Sequence, residues 1–262
     1  MKRRKPSPSG KRPGYSLRAP APTREVLYGI NPVEMALEAA RRSLTRLWVK
    51  AGRPSEKLER LRKLASKRGV PVSEGDPARL GQIAGSPDHQ GVALECGPLP
   101  TGDEAACLRG HAKEGALLVA LDQVEDPRNF GAVVRSCALF GVAGLVLPRH
   151  HAAPLSPAAS KASAGYLEVF PVFAVANLAR FLARCRGQGY WVAGTREQGG
   201  TPLHRFRRDR PLVLVMGSEG RGLRPLIERE CDLLLTVATP GAGSLNVSAA
   251  AAVILYHLTL PV

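Results

Sequence analysis

A chain of 262 residues with 44% hydrophobic content has enough material for a catalytic core of about 150 residues and a smaller unit beside it. Its formal charge of +15 predicts a polyanionic partner, because clustered Lys and Arg gain affinity by releasing counterions from phosphates. Five scattered cysteines without a Cys-x-x-Cys pair argue against a disulfide framework and against a zinc site, and no apolar run reaches the ~18 residues of a spanning helix, so a cytoplasmic protein with no membrane and no metal partner is expected.

Residues 1–24 carry Lys2, Arg3, Arg4, Lys5, Lys11, Arg12, Arg18 and Arg24 and no acid. Pro6, Pro8, Gly10, Pro13 and Gly14 break any helix there, which argues against an amphipathic transit peptide and for a disordered basic arm, with Arg3, Arg4 and Lys5 among its RNA contacts. Val26–Tyr28 then reads as a strand and Asn31–Arg42 as a helix, capped by Asn31, with Pro32 at its first position and Val33, Leu37 and Ala40 on one stripe. Strand Leu44–Val49, the charged helix Pro54–Lys67, strand Val70–Val72, helix Asp76–Ile83 and strand Gly91–Cys96 complete a small α/β unit over residues 25–97. Residues 98–115, punctuated by Pro98, Pro100, Gly102 and Gly110, read as a linker.

Over residues 116–262 strands and helices alternate: strand Ala116–Leu121, helix Asn129–Phe140, strand Gly144–Leu147, a short helix near Pro157–Ala164, strand Val169–Val172, helix Val175–Gln188, strands Trp191–Gly194 and Leu212–Met216, helix Leu223–Arg229, strand Leu233–Val237 and helix Asn246–Leu258. This alternation predicts a mainly parallel sheet covered on both faces. The last helix is apolar almost all round, which predicts burial in the fold or against another subunit.

Three segments stand where a strand yields to a loop and a helix: Asp126-Pro-Arg-Asn-Phe-Gly-Ala-Val-Val-Arg-Ser136, Met216-Gly-Ser-Glu-Gly-Arg-Gly222 and Gly243-Ser-Leu-Asn-Val-Ser-Ala249. Open α/β sheets bind ligands beyond the carboxyl ends of their strands, so one site built from three loops is the economical reading. Neither Gly-x-Gly-x-x-Gly nor Gly-x-x-x-x-Gly-Lys-Ser/Thr occurs, which leaves no dinucleotide or P-loop fingerprint. Glycine count alone would make these loops ordinary turns. Adjacent His150 and His151 have no partner at ligand spacing and read as a loop pair, while for Arg205, Arg207, Arg208 and Arg210 a solvated loop and an RNA contact stay equally open.

In order and nearly residue by residue, the three segments resemble the motifs of the SpoU/TrmH family of RNA ribose 2′-O-methyltransferases, a branch of the SPOUT superfamily. Val26-Leu-Tyr-Gly-Ile-Asn-Pro-Val-Glu34 resembles the opening of the ribosomal-protein-like RNA-binding domain found in the family's ribosomal RNA enzymes, so the likeness spans about residues 26–260. The resemblance implies a trefoil-knotted α/β catalytic fold, a bent S-adenosylmethionine held in the knot, and a homodimer whose sites are completed across the interface. It implies a cofactor pocket from Gly217, Val237 and Leu245. The family's usual Ile-Pro is replaced here by Val237-Ala238, and the loop that follows is one residue short.

For catalysis the resemblance implies Arg135 as the group acting on the ribose hydroxyl, Asn129 placing ribose or phosphate, Glu219 orienting the guanidinium, and Ser244 and Asn246 holding substrate. Arginine normally stays protonated, so charge stabilisation of a developing alkoxide is the preferred form of that role. The stretch Lys161-Ala-Ser-Ala-Gly165 matches a family segment near substrate phosphates, which places Lys161 and Ser163, with Arg128, among the expected RNA contacts. The expected reaction is 2′-O-methylation of a guanosine in large-subunit ribosomal RNA. A tRNA substrate, a drug-resistance site on ribosomal RNA and a non-catalytic assembly protein are the rivals; intact Asn129, Arg135, Glu219 and Asn246 count against the last.

Overall fold

The computed structural model describes residues 24–111, 115–239, 241 and 243–260. The N-terminal part comprises β1 (Glu25–Tyr28), α1 (Ile30–Ala39), β2 (Leu44–Lys50), α2 (Glu56–Lys67), β3 (Val72–Gly75), α3 (Pro77–Ala84) and β4 (Val92–Cys96). Its sheet has the order β1-β4-β2-β3, in which β4 runs antiparallel to both neighbours and β2 runs parallel to β3. Leu27, Leu37, Leu47, Leu61 and Leu94 form its core. Ser55 and Asp76 cap α2 and α3 with their side-chain oxygens.

The larger part comprises β5 (Gly102–Asp103), α4 (Glu104–His111), β6 (Leu117–Asp122), α5 (Pro127–Leu139), β7 (Gly144–Pro148), α6 (Pro157–Ala162), β8 (Val172–Val175), α7 (Leu178–Gly187), β9 (Trp191–Thr195), β10 (Thr201–Pro202), β11 (Leu212–Gly217), α8 (Pro225–Arg229), β12 (Leu233–Thr236) and α9 (Val247–Thr259). Its eight strands run β10-β12-β9-β11-β6-β7-β8-β5, and every neighbouring pair is parallel. Along β6, Leu117, Val119 and Leu121 enter the core shared with α5 and α9, while Leu118 and Ala120 enter the core shared with α7. That alternation is what a sheet buried on both faces requires. From β6 the chain proceeds through β7 to β8 on one side, then crosses to β9, β11 and β12 on the other. The reversal puts a crevice beyond the ends of β6 and β11, the usual ligand position in such sheets.

Several boundaries differ from the sequence expectation for local reasons. α1 begins at Ile30 rather than after Asn31; Gly29, at φ 88°, occupies the cap position without a side-chain bond, and Gln90 Oε1 accepts from Ile30 N at 3.1 Å. Pro32 is thus the third helical residue. β3 and β8 each start one residue after a proline, because Pro71 and Pro171 lack an N–H and enter the ladder only as acceptors from Leu47 N and Leu145 N. The stretch read as a linker contains β5 and α4, which extend the large sheet beyond β8. The arm's Arg3, Arg4 and Lys5 lie outside the described residues.

The two parts are docked through buried charge. Arg42, whose side chain is fully buried, donates to Glu168 from Nε at 2.7 Å and Nη2 at 3.1 Å, and from Nη1 to Glu25 at 2.6 Å and the Gly97 carbonyl at 3.0 Å. Burial opposes its charge, yet Glu168 and Glu25 hold its pKa above the ordinary value. Arg41 adds bonds to the carbonyls of Glu168, Phe170 and Pro100. Gly165 lies against α1 at φ 88°, where an added Cβ would come within 2.7 Å of the Asn31 carbonyl oxygen.

Candidate active site

The loop after β11 is a tight return. Ser218 and Gly222 exchange backbone hydrogen bonds of 3.1 and 2.9 Å, and Gly220 and Gly222 adopt φ of 76° and 65°. A Cβ at Gly217 would stand 2.2 Å from the Gly222 carbonyl carbon and 2.5 Å from Leu223 N. Glycine is therefore required first by the loop's own closure. The family resemblance assigns it to the cofactor pocket, and the loop's self-contact is a further constraint that the sequence does not show. Asp122, fully buried at the end of β6, braces the far side by accepting from Arg224 N at 2.9 Å and Arg224 Nε at 2.8 Å.

Between this loop, β12 and the start of α9 lies a cavity of about 310 Å³, lined by Gly217, Ser218, Val237, Ser244 and Leu245 among others. The three residues expected for the cofactor thus share one pocket, with Met216, Leu235 and Ile254 supplying further apolar wall. Two observations fit an organic ligand with polar groups. Ser218 Oγ is buried at this wall with no hydrogen-bond partner among the described residues, and Leu245 is 38% exposed. Ser218 was not singled out in the sequence, where it is one serine in a glycine-rich turn.

We expect Gly217→Ala to force the return loop open, lowering stability by roughly 1–3 kcal/mol, the usual scale for overpacking, and weakening cofactor binding with it. Denaturant unfolding and calorimetric titration with S-adenosylmethionine would measure both. Unchanged cofactor affinity would detach the loop from the pocket.

Beside the cavity the three loops are tied together. Asn129 Nδ2 donates to Glu219 Oε1 at 3.0 Å, and Asn246 Nδ2 donates to Asn129 Oδ1 at 3.0 Å and, in a short hydrogen bond, to Glu219 Oε1. Asn246 Oδ1 accepts from Ser248 N at 2.8 Å, capping α9 and fixing the direction in which its amide nitrogen points. Asp126 caps α5 in the same manner through Arg128 N at 3.1 Å, which sets Asn129 on the first turn and leaves the Arg128 side chain exposed. Glu219 is thereby engaged by Asn129 and Asn246, not by Arg135 as the sequence led us to expect. Arg135 is exposed on α5, outside the cavity, and makes no hydrogen bond or ion pair among the described residues.

Ser163 needs correction as an RNA contact, and Lys161 is engaged within the fold. Ser163 is fully buried, donating to the Ser160 carbonyl at 2.9 Å and accepting from Leu167 N at 3.1 Å. Lys161 Nζ donates to the Asp88 carbonyl at 3.1 Å and Gln90 Oε1 at 3.0 Å, lies 5.9 Å from the Tyr28 ring centre, and has its pKa lowered by burial. Lys161 thus belongs to the docking of the two parts, and Ser163 to the internal packing of the larger one. Of the basic cluster, Arg208 binds the Gly115 carbonyl and Arg210 stacks 4.3 Å over Trp191, so these two are held by the fold. Burial pushes the thiols of Cys107, Cys185 and Cys231 up to about 12, which keeps them protonated near neutral pH. Among the described residues no group of three His, Cys, Asp or Glu side chains is arranged to hold a metal ion.

The comparisons with known proteins decide the family. Residues 116–256 match the SpoU rRNA Methylase family, and residues 26–101 match a domain described as RNA 2′-O ribose methyltransferase substrate binding. The chain belongs to the SpoU rRNA methylase family. It is an RNA methyltransferase. Among its relatives, the 23S rRNA (guanosine-2′-O-)-methyltransferase RlmB of Acinetobacter baylyi is 37% identical, covering 89% of this chain and 96% of the relative. The human protein named rRNA methyltransferase 1, mitochondrial is also 37% identical, over 89% of this chain and 72% of its own length. The AdoMet-bound rRNA methyltransferase from Sinorhizobium meliloti superposes with a TM-score of 0.75 at 25% identity, covering 90% of this chain and 86% of that one. The SPOUT-type α/β fold, with a smaller α/β part before it, agrees with the sequence expectation.

Proposed function

We propose that the protein methylates the 2′-hydroxyl of a guanosine ribose in large-subunit ribosomal RNA, with S-adenosylmethionine as donor, acting as a homodimer in the cytoplasm. The observation that carries this reading is the convergence of the three loops, with a ligand-sized cavity beside the Asn129–Glu219–Asn246 cluster at the sheet's switch point. S-adenosylmethionine, when bound, supplies an electrophilic methyl group. Gly217, Val237 and Leu245 would hold it against the apolar wall, Ser218 Oγ would find its missing partner, and Ser244 would hold substrate at the rim. Asn129 and Asn246, oriented by Glu219 and by helix capping, offer fixed amides for ribose or phosphate. The knotted threading implied by the family resemblance is part of the same proposal. Guanosine in 23S ribosomal RNA is favoured over tRNA by the names of relatives such as RlmB, and by the N-terminal match to a substrate-binding domain.

Surface chemistry supports the dimer. Val253, Tyr256 and Leu260 of the C-terminal segment and Leu139 of α5 are all exposed, which favours the second of the two expected alternatives for the last helix, burial against another subunit. Val253, Tyr256 and Leu260 share one side of the C-terminal segment by their spacing of three and four, and Tyr256 packs edge-on at 6.2 Å against Phe140, the residue after Leu139. Arg135 lies one turn before Leu139 on the same helix. A second copy seated on this patch brings its own Arg135 toward the first copy's cavity, where the guanidinium would stabilise charge developing on the ribose oxygen as its proton passes to water or to a substrate phosphate. Mapping 2′-O-methyl groups in host ribosomal RNA with and without the gene tests the function. Loss of one guanosine 2′-O-methyl group from large-subunit RNA is expected; an unchanged ribosomal map with a methyl group lost from tRNA would favour the tRNA rival.

A further inference from the structure

On the N-terminal sheet, one face alternates Arg46, Trp48 and Lys50 along β2, next to Ser73 on β3 and Glu95 on β4. Guanidinium carbons of Arg46 and Arg79 lie 5.7 and 5.1 Å from the centre of the Trp48 ring. Arg46 Nη1 donates to Ser73 Oγ at 2.8 Å, and Trp48 Nε1 donates to Glu95 Oε1 at 3.0 Å, so both groups are held in place. Glu95 is also paired with Arg24, which leaves Arg46, Lys50 and Arg79 without a carboxylate partner among the described residues. Arg24, the last of the eight Lys and Arg in residues 1–24, is thereby held at this face.

We infer that the Arg46–Trp48–Arg79 cluster is an RNA docking surface that takes an unpaired base. Guanidinium and indole planes each offer a face on which any base stacks, and the surrounding unpaired cations answer phosphates on either side. An acidic peptide would use the charge but not the aromatic platform. This inference rests on the proposed RNA substrate and names the surface that binds it away from the reacting loops.

The test uses the intrinsic fluorescence of the full chain. Of its two tryptophans, Trp48 and Trp191, the second is changed by Trp191→Phe so that emission reports on Trp48 alone. Titration with a single-stranded oligoadenylate is expected to quench Trp48, and a duplex of equal charge to quench it far less. Trp48→Leu should weaken single-strand binding about tenfold, the lower part of the range for losing one stacked base, and Trp48→Phe should restore part of it. Arg46→Ser with Arg79→Ser should lower the salt slope by about 0.7 for each phosphate that is no longer neutralised. S-adenosylmethionine affinity is measured in every variant to register folding. Unquenched Trp48 emission in the presence of bound RNA overturns the inference. So does quenching by anionic vesicles or a polyglutamate peptide with none by RNA. If quenching and the weaker binding of Trp48→Leu appear while the wild type transfers no methyl group to RNA, the surface stands and the proposed reaction fails. If transfer proceeds with an unaltered RNA KM in Trp48→Leu, the reaction stands and the surface fails.

Discussion

Arg135→Ala is expected to bind S-adenosylmethionine almost as the wild type does, while methyl transfer slows by at least ~100-fold, the scale for losing a positioned charge-stabilising group. Binding should survive because Arg135 lies outside the cavity that Gly217, Val237 and Leu245 line. Single-turnover transfer of labelled methyl to RNA, beside calorimetry for the cofactor, separates the two effects. Arg135→Lys keeps the charge and loses the planar fork, so partial recovery would indicate charge stabilisation and none would indicate geometry. Mixing Arg135→Ala chains with Glu219→Ala chains tests the dimer as well. If Arg135 serves the partner's cavity, a random mixture should regain about a quarter of wild-type activity, since half of the dimers are mixed and each holds one intact site. No recovery, with exchange of chains demonstrated, would return Arg135 to its own subunit.

The second large effect concerns the buried junction. Arg42→Ala leaves Glu168 buried at 1% side-chain exposure without its partner, and we expect a loss of roughly 3–5 kcal/mol, as for other broken buried pairs. Replacing both partners, with Arg42→Met and Glu168→Leu, should recover part of that stability, because the fully buried carboxylate is removed and only Glu25, 12% exposed, is left without its partner. Denaturant unfolding followed by Trp48 and by Trp191 emission would show whether the two parts still unfold together. An equally unstable double variant would mean that the loss came from packing. Functionally, on the proposed role of the N-terminal part in binding RNA, a loosened junction should raise the RNA KM more than it lowers kcat.

Much of this was legible in the sequence. The alternation of strands and helices announced the parallel sheet, and the three loop segments announced a shared site, because strand ends and glycine-rich turns are local signals. What stayed hidden is long-range. Nothing around Asp122 says that its carboxylate will lock Arg224, 102 positions later. Lys161 looks like a phosphate contact on a helix until the N-terminal part is seen packed against it, and Ser163 does so until its hydroxyl is seen buried between Ser160 and Leu167. Glu219 could be paired in sequence with any nearby cation, and only the fold brings it to Asn129 and Asn246. The strand shifts at Pro71 and Pro171 were in principle readable, since a residue without an N–H cannot donate to a ladder. The short strands β5 and β10 were not, having two residues each.

The most direct test of the central claim is the chemistry of the product. Ribosomal RNA transcribed without modifications is incubated with the purified protein and S-adenosylmethionine, then hydrolysed in alkali and read at nucleotide resolution. A methylated 2′-oxygen cannot attack the adjacent phosphate, so the account predicts that one guanosine becomes resistant to cleavage, and that Arg135→Ala leaves it sensitive. Methyl incorporation with every ribose still cleaved would put the methyl group on a base and contradict the assignment of the three-loop site to ribose chemistry.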